Sequence, residues 1–435
     1  MKYRWNRSRH TAARIFGSLC LACVVVLLAA CDIITYDYYN PLDPQEDATV
    51  ETALAGVVDP ELRRAIVDSV GGDTERSKRE VHWVHASYWE PDGYNVSTVA
   101  GIEFFPEVSG LELSGTSVDW EADVIHLQRL PRLDHLNVGD TGVTDAEVAY
   151  FAQIDQLRWL GLNGNALTVE GLNHLVSTNI DGIALSGYDE TDGNPGYQLT
   201  TGASIFEELG SSGLADQLWG IDLGRFGLTA ADLTGLQVFP HLGSFSFWDN
   251  DIASVAEIND FLRNHNGADH PVHLGLWGNP IPEAELAKLD LTHISGLDLG
   301  HMGDGSLLEA LPAFATEGSQ LNNLGLQDNR ALSSLDGLEQ LLMDSRIEHL
   351  NLSNTAITDV EPLRAGDELR WIYLTDIITE FGLPVANVEL LADLPNLEQL
   401  ILHNTPLSDD DAVREAFDAR PDIYVEYPDG TTNQL

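Results

Sequence analysis

Leucine and its aliphatic substitutes recur along this chain in one register, L-x-x-L-x-L-x-x-N/T-x-L. Clean copies run Leu133–Leu136–Val138–Thr141–Val143, Leu157–Leu160–Leu162–Asn165–Leu167, Ile347–Leu350–Leu352–Thr355–Ile357 and Leu397–Leu400–Leu402–Thr405–Leu407. Looser copies begin at Val108, Ile180, Leu218, Leu242, Pro271, Ile294, Leu321 and Leu369. The twelve starts lie 22–29 residues apart, apart from one interval of 38 between Ile180 and Leu218. The alternation L-x-L puts both leucines on one face of a short strand and the intervening residues on the other. One such unit cannot bury its apolar face alone, whereas stacked units build a continuous core. The Asn or Thr at the ninth position (Thr116, Thr141, Asn165, Asn250, Asn279, Asn329, Thr355, Thr405) is expected to satisfy backbone groups where the chain turns inward.

Between the strands, helix starts are signalled by a hydroxyl three residues before a carboxylate. Thr144–Glu147, Ser254–Glu257 and Thr358–Glu361 fit this capping pattern, and Ser408–Asp411 opens a helix near 409–419. Ahead of the repeats, Pro60–Val70 has helical spacing, and Thr98–Leu113 leads into the first repeat strand. Beyond them, Ala412–Ala419 and the strand-like Ile423–Tyr427 would close the C-terminal end. The long interval holds the acidic segment Tyr188–Tyr197, which must bulge from the stack, and at Pro271 a proline replaces the first leucine.

In spacing and in the ninth-position Asn/Thr, residues 96–407 resemble the leucine-rich repeat family, with likeness to its internalin and ribonuclease-inhibitor branches. The N-terminal segment resembles the helical cap of internalin-type bacterial proteins. The resemblance implies an α/β solenoid: a curved horseshoe with a parallel sheet on the concave face and helices and loops on the convex one. The expected organisation is a signal segment at 1–30, a tether at 31–50, a helical cap at 51–100, about twelve repeats at 101–407 and a C-terminal cap at 408–435.

The first thirty residues differ from the rest. Lys2, Arg4, Arg7, Arg9 and Arg14, with no acid, precede an apolar run from Leu19 to Ala30, the layout of an export signal. The run is shorter than the roughly 20 residues of a spanning helix. Leu28-Ala29-Ala30-Cys31 resembles the lipobox of bacterial lipoproteins, which implies cleavage before Cys31 and its lipidation. Cys20 and Cys23 would be lost with the signal, leaving Cys31 without a disulfide partner in its own chain. Residues 32–50 lack periodicity and read as a tether.

Elsewhere the chain is strongly acidic. Its 435 residues hold 69 Asp+Glu against 22 Lys+Arg, a net charge of −47, spread without a block of like charges. Such a surface repels phosphate backbones, so nucleic acid is excluded as a partner. With 43% hydrophobic residues the chain still has ample core.

Catalytic patterns are missing from the sequence. Neither Lys78 nor Lys288 completes a phosphate loop, and there is no H-E-x-x-H or G-x-S-x-G. No cofactor and no enzyme activity are expected. Two clusters suggest metal but fit plain loops better: His265, Asp269, His270 and His273 for zinc, and Asp189, Asp192 and Asn194 for calcium. In the latter, Thr200 stands where an EF-hand needs a glutamate.

The candidate ligand surface is the concave face. Positions 3, 5 and 7 of each unit should point there, and they hold Trp159, Asp222, Trp248, Trp277, Asp298, His349, Trp371 and Tyr373, with His135, His273 and Asn351 nearby. Trp248 and Trp277, in consecutive units, are expected to stack side by side at the roughly 5 Å spacing of adjacent strands. Large aromatics on a solvent face mark partner contacts more often than plain surface. The reading is a non-enzymatic, lipid-anchored scaffold at the bacterial cell envelope, on the inner or outer membrane. It would bind a protein or glycan; the alternatives are a structural envelope spacer without a dedicated ligand and, less favoured, a metal-dependent hydrolase.

Overall fold

A computed structural model describes residues 48–88, 93–187, 196–199, 204–265, 271–302, 307, 314, 319–378 and 382–433. From Val50 onward they belong to one compact unit. Their strands are β1 (Trp83–His85), β2 (Gly110–Glu112), β3 (His135–Asn137), β4 (Trp159–Gly161), β5 (Gly182–Ser186), β6 (Gly220–Gly224) and β7 (Ser244–Ser246). Next come β8 (Val272–Gly275), β9 (Ile294–Asp298), β10 (Asn323–Gly325), β11 (His349–Asn351), β12 (Trp371–Tyr373), β13 (Gln399–Ile401) and β14 (Tyr424–Glu426). All pair in parallel and in chain order, making an open sheet of 14 strands among the described residues. The chain folds as a leucine-rich repeat solenoid.

The fourth position of each unit makes the register visible. Leu111, Leu136, Leu160, Ile183, Ile221 and Phe245 pair in succession, followed by Leu274, Leu297, Leu324, Leu350, Ile372 and Leu400. Every one of them is buried. Return segments such as Trp120–Gln128, Asp145–Phe151, Ile205–Ser212 and Ala256–Asn264 cover this row. Helical turns need more width than strands about 4.8 Å apart, so the sheet side becomes the inner, concave face.

The sheet extends one strand beyond the repeat pattern at each end. Strand β1 lies within 51–100, after the helices Val50–Leu54 and Pro60–Ser69. Asp59 caps the second of these, accepting from the N–H of Glu61 and Leu62 at 2.8 and 3.1 Å. At the other end β14 and the helix Asp410–Asp418 bury Val413, Phe417, Ile423, Val425 and Tyr427.

Pro271 does not fill the leucine site. Val272 takes it, pairing with Ile294, and the register then slips so that His273 faces Gly296. The spare residue, Ser295, sends its hydroxyl back to the carbonyls of Pro271 and Val272 at 3.3 and 3.2 Å. A bulge thus absorbs the proline.

Helix caps follow the sequence less closely. The box at Thr144–Glu147 forms. The one at Ser254–Glu257 does not: the helix starts at Ala256, whose N–H meets Ser254, and a buried Glu257 oxygen has no partner among the described residues. At Thr358–Glu361 the helical turn starts after Val360, which offers no side-chain cap, and Asp359 accepts from the Glu361 N–H at 2.8 Å; at Ser408–Asp411 the cap is Asp409, accepting from Ala412 at 3.0 Å. In both, a carboxylate next to the hydroxyl reaches the free N–H groups first. Boxes also form at Ser204–Glu207 and Thr229–Asp232.

The ninth-position ladder has two chemistries. Asn279 accepts from the Ile252 N–H of the preceding turn and donates to the carbonyls of Phe247 and Leu276, so it ties two repeats together. Asn165, Asn250 and Asn329 do likewise. The Thr116, Thr141 and Thr355 hydroxyls donate to a carbonyl of their own repeat, whereas Thr405 reaches back to Leu374. An amide has both a donor and an acceptor to place, whereas a hydroxyl has one proton, which Thr116, Thr141 and Thr355 spend within their own repeat.

Candidate ligand-binding surface

All eight side chains expected on the concave face lie on it, each half-buried. What covers them is the neighbouring strand. The benzo ring of Trp159 lies across Gly182 of β5 and reaches Gly220 of β6, where a Cβ atom would come within 2.1 and 2.7 Å of it. Its other side stacks on His135, ring centres 5.8 Å apart, and His135 meets Trp83 at 4.8 Å. Glycine at the third position therefore lets an indole lie flat on the backbone of the next strand.

Trp248 and Trp277 do not stack on each other. Trp248 leans back over Gly224 of β6, and Trp277 leans forward over Gly300, just past β9; a Cβ would meet the rings at 1.9 and 2.2 Å. The residue after each glycine then covers the ring. The Arg225 guanidinium sits 5.2 Å from the Trp248 ring centre, and His301 stacks on Trp277 at 5.0 Å. Both Arg225 and His301 are left-handed, at φ 56° and 52°. In other units that eighth position is filled by glycine or by the Asp/Asn types that tolerate this conformation, as at Gly164, Asp328 and Asn404. The side-by-side pair expected from strand spacing fails because each indole finds more room over a glycine than against its twin.

The sequence carried a signal for this arrangement. Gly220–Arg225 reads G-I-D-L-G-R and Gly296–His301 reads G-L-D-L-G-H. The twin segments flank β7 and β8, so the fifth-position row across the four strands is Asp222, Ser246, Gly275, Asp298. Small residues floor this row and a carboxyl stands at each end. Leaning apart, the tryptophans leave the middle open.

The two carboxyls are held differently. Burial pushes Asp222 up to about 7, against an opposing pull from a hydrogen bond to Trp248. Its Oδ1 is shut off from solvent with no hydrogen-bond partner among the described residues. Asp298 is also pushed up by burial, opposed by bonds from the Gly300 N–H at 2.9 Å and from the Gln327 amide at 3.0 and 3.2 Å.

His349, Trp371 and Tyr373 form a separate cluster on β11 and β12. His349 stacks on Trp371 at 4.0 Å, and the Arg370 guanidinium lies 4.5 Å from the Trp371 ring centre. Arg370 is itself bridged to Glu348 and Glu398.

Sequence comparison finds no matching protein-family model and no matching curated protein. In three dimensions the chain is similar to a crystal structure of an internalin from Listeria monocytogenes, at 18% identity and TM-score 0.39, over 86% of this chain and 96% of that one. It is also similar to internalin C2 of the same organism, at 16% identity and TM-score 0.26, over 74% and 96%.

Of the metal readings, Asp269, His270, Asp189, Asp192 and Asn194 lie outside the described residues. His265 packs on Phe261 at 4.6 Å, and the His273 ring lies over Gly296. Among the described residues no three metal-ligating side chains converge, and no helix is long and apolar enough to cross a membrane. Cys31 also lies outside them.

Proposed function

We propose that this chain is a non-catalytic binding scaffold, exported and anchored through lipidated Cys31, which engages a protein partner at the bacterial cell envelope with its concave face. The observation that carries the reading is the row of half-exposed aromatic and acidic side chains that one sheet face gathers from units far apart in sequence. Clustered tryptophan and tyrosine side chains dominate partner contacts. A net charge of −47 favours partners with basic surfaces and disfavours acidic ones. The lipobox-like Leu28–Cys31 and the basic, apolar leader support the anchoring half.

Two measurements test the two halves. Cys31→Ser should abolish incorporation of labelled fatty acid and release the protein from membranes; continued labelling refutes the anchor. Envelope proteins retained by the parent should be lost by a Trp248→Ala/Trp277→Ala/Trp371→Ala variant of unchanged melting temperature. Equal retention moves the binding surface elsewhere, and no retention by either favours the spacer.

A further inference from the structure

Where the chain enters β2, β3 and β4, the edge of the sheet holds an open hollow of about 470 Å³, lined by Ser109, Pro131, Arg132, Asp134, Gln156 and Arg158. Ser109, Asp134 and Arg158 stand in one row just ahead of the three strands. The Asp134 N–H donates to the Ser109 carbonyl at 3.0 Å, and the Arg158 N–H to the Asp134 carbonyl at 2.9 Å. Neighbours in this row are therefore about 5 Å apart. Two guanidinium groups against one carboxylate line the hollow, in a chain whose acids outnumber its bases 69 to 22.

Asp134 pairs with neither arginine, because each is drawn the other way. Glu107 takes the Arg132 Nε at 2.9 Å, and Arg158 gives its Nη1 to the Asn179 carbonyl and the Asp181 carboxylate, both at 3.2 Å. Each guanidinium is pinned through one nitrogen, and its other two have no partner among the described residues. The Asp134 carboxylate, exposed at the surface, has none there either. Gln156 spends its amide N–H groups on the Leu127 and Leu130 carbonyls and keeps its Oε1 unbonded. All of this is within reach of solvent: the Arg132 and Arg158 side chains are 63% and 58% exposed.

We propose that this hollow is a small-molecule site for a dicarboxylic α-amino acid, of the glutamate or aspartate type. Its ammonium sits on Asp134 and the Gln156 Oε1, and its two carboxylates sit on Arg132 and Arg158. This goes beyond the scaffold reading and stands without it. The order of charges carries the assignment. A carboxylate between two guanidinium groups is matched by an ammonium between two carboxylates, and each contact is then a charge-assisted hydrogen bond. A plain dianion would bring its charge against Asp134, and a basic ligand would meet the two arginines. Holding each guanidinium from its far side also fixes its plane in advance, which lowers the ordering cost of binding. The volume suits a small molecule.

The test is calorimetric titration of the full chain in detergent with L-glutamate and L-aspartate. Controls are glutarate and succinate, which lack the ammonium, and glutamine and asparagine, which lack the second carboxylate. The expected result is one site per chain for the better-fitting amino acid, at least tenfold tighter than for its own two controls. Arg132→Gln and Arg158→Gln should each weaken it at least tenfold. Asp134→Asn should do the same and also erase the preference over the diacid, a change that a merely structural role would not produce. All three side chains are exposed, and melting curves verify that the variants fold. No saturable binding at millimolar ligand, equal binding of the diacid by the parent, or unchanged binding by the three variants overturns the proposal.

Discussion

The middle of the solenoid and its C-terminal third are built from the same repeat, yet they use their inner face in opposite ways. Around β6–β9 the large rings lie down on glycines and leave an open floor between two carboxyls. Around β11–β13 there is no glycine in the paired rows; His349 and Trp371 stack on each other and Arg370 covers the indole. Beneath the surface the contrast holds in part: Asn250, Asn279 and Asn329 bridge repeats in the middle through both a donor and an acceptor, whereas in the C-terminal third Thr355 closes only its own turn and Thr405 reaches back to Leu374 with its hydroxyl alone. A repeat position fixes which way a side chain points. Its neighbours one strand away fix whether it offers a surface or uses it up.

The contrast is tested most severely in the ladder. Asn279→Ala strands a buried N–H and carbonyls of two repeats, and should cost about 3 kcal/mol, whereas Thr355→Ala should cost about 1 kcal/mol. Denaturant unfolding measures both, and equal losses would dissolve the distinction between the two ladders.

A smaller effect is expected on the face itself. Gly224→Val puts methyl groups where the Trp248 ring lies, and should cost about 1–3 kcal/mol while shifting tryptophan emission. Gln399→Val, beside Trp371 in the other cluster, should stay within about 0.5 kcal/mol. Similar costs at the two sites would mean that the glycine bed is not what holds the central indoles.

The third expected difference is one of pH and sharpens the same comparison. Asp222 titrates near 7 in the folded chain and at the ordinary carboxylate value near 4 when unfolded. Folding therefore favours its protonated form, so its contribution to stability is fully present below about pH 4 and lost as pH rises through 7. The stability of the parent relative to Asp222→Asn should decline across that window. A flat difference would show that the carboxyl is not held protonated by its surroundings.

The strands, their order and the buried row from Leu111 to Leu400 were legible because each depends on residues within one unit, repeated in phase. The extra strands β1 and β14 were less so, since Val81–Ala86 and Ile423–Tyr427 lack the full pattern and are recruited by the open edges they cover. The concave residues were identified by alternation alone. Their arrangement was not, and the opposed lean of Trp248 and Trp277 could have been suspected only from the glycines in G-I-D-L-G and G-L-D-L-G. Three of the four expected hydroxyl caps moved because nearby backbone and carboxylate groups competed within a few ångströms, a contest that spacing does not resolve.

By itself, the sequence determined the period, the identity of the core face and the acid excess, because hydrophobic burial and net charge are sums over residue types in a known phase. Only the tertiary structure decided which rings lie flat, which acid loses its solvent and where the inner face stays open. Those outcomes depend on side chains 22–38 residues apart in sequence being brought to about 5 Å, where a missing Cβ is enough to redirect an indole.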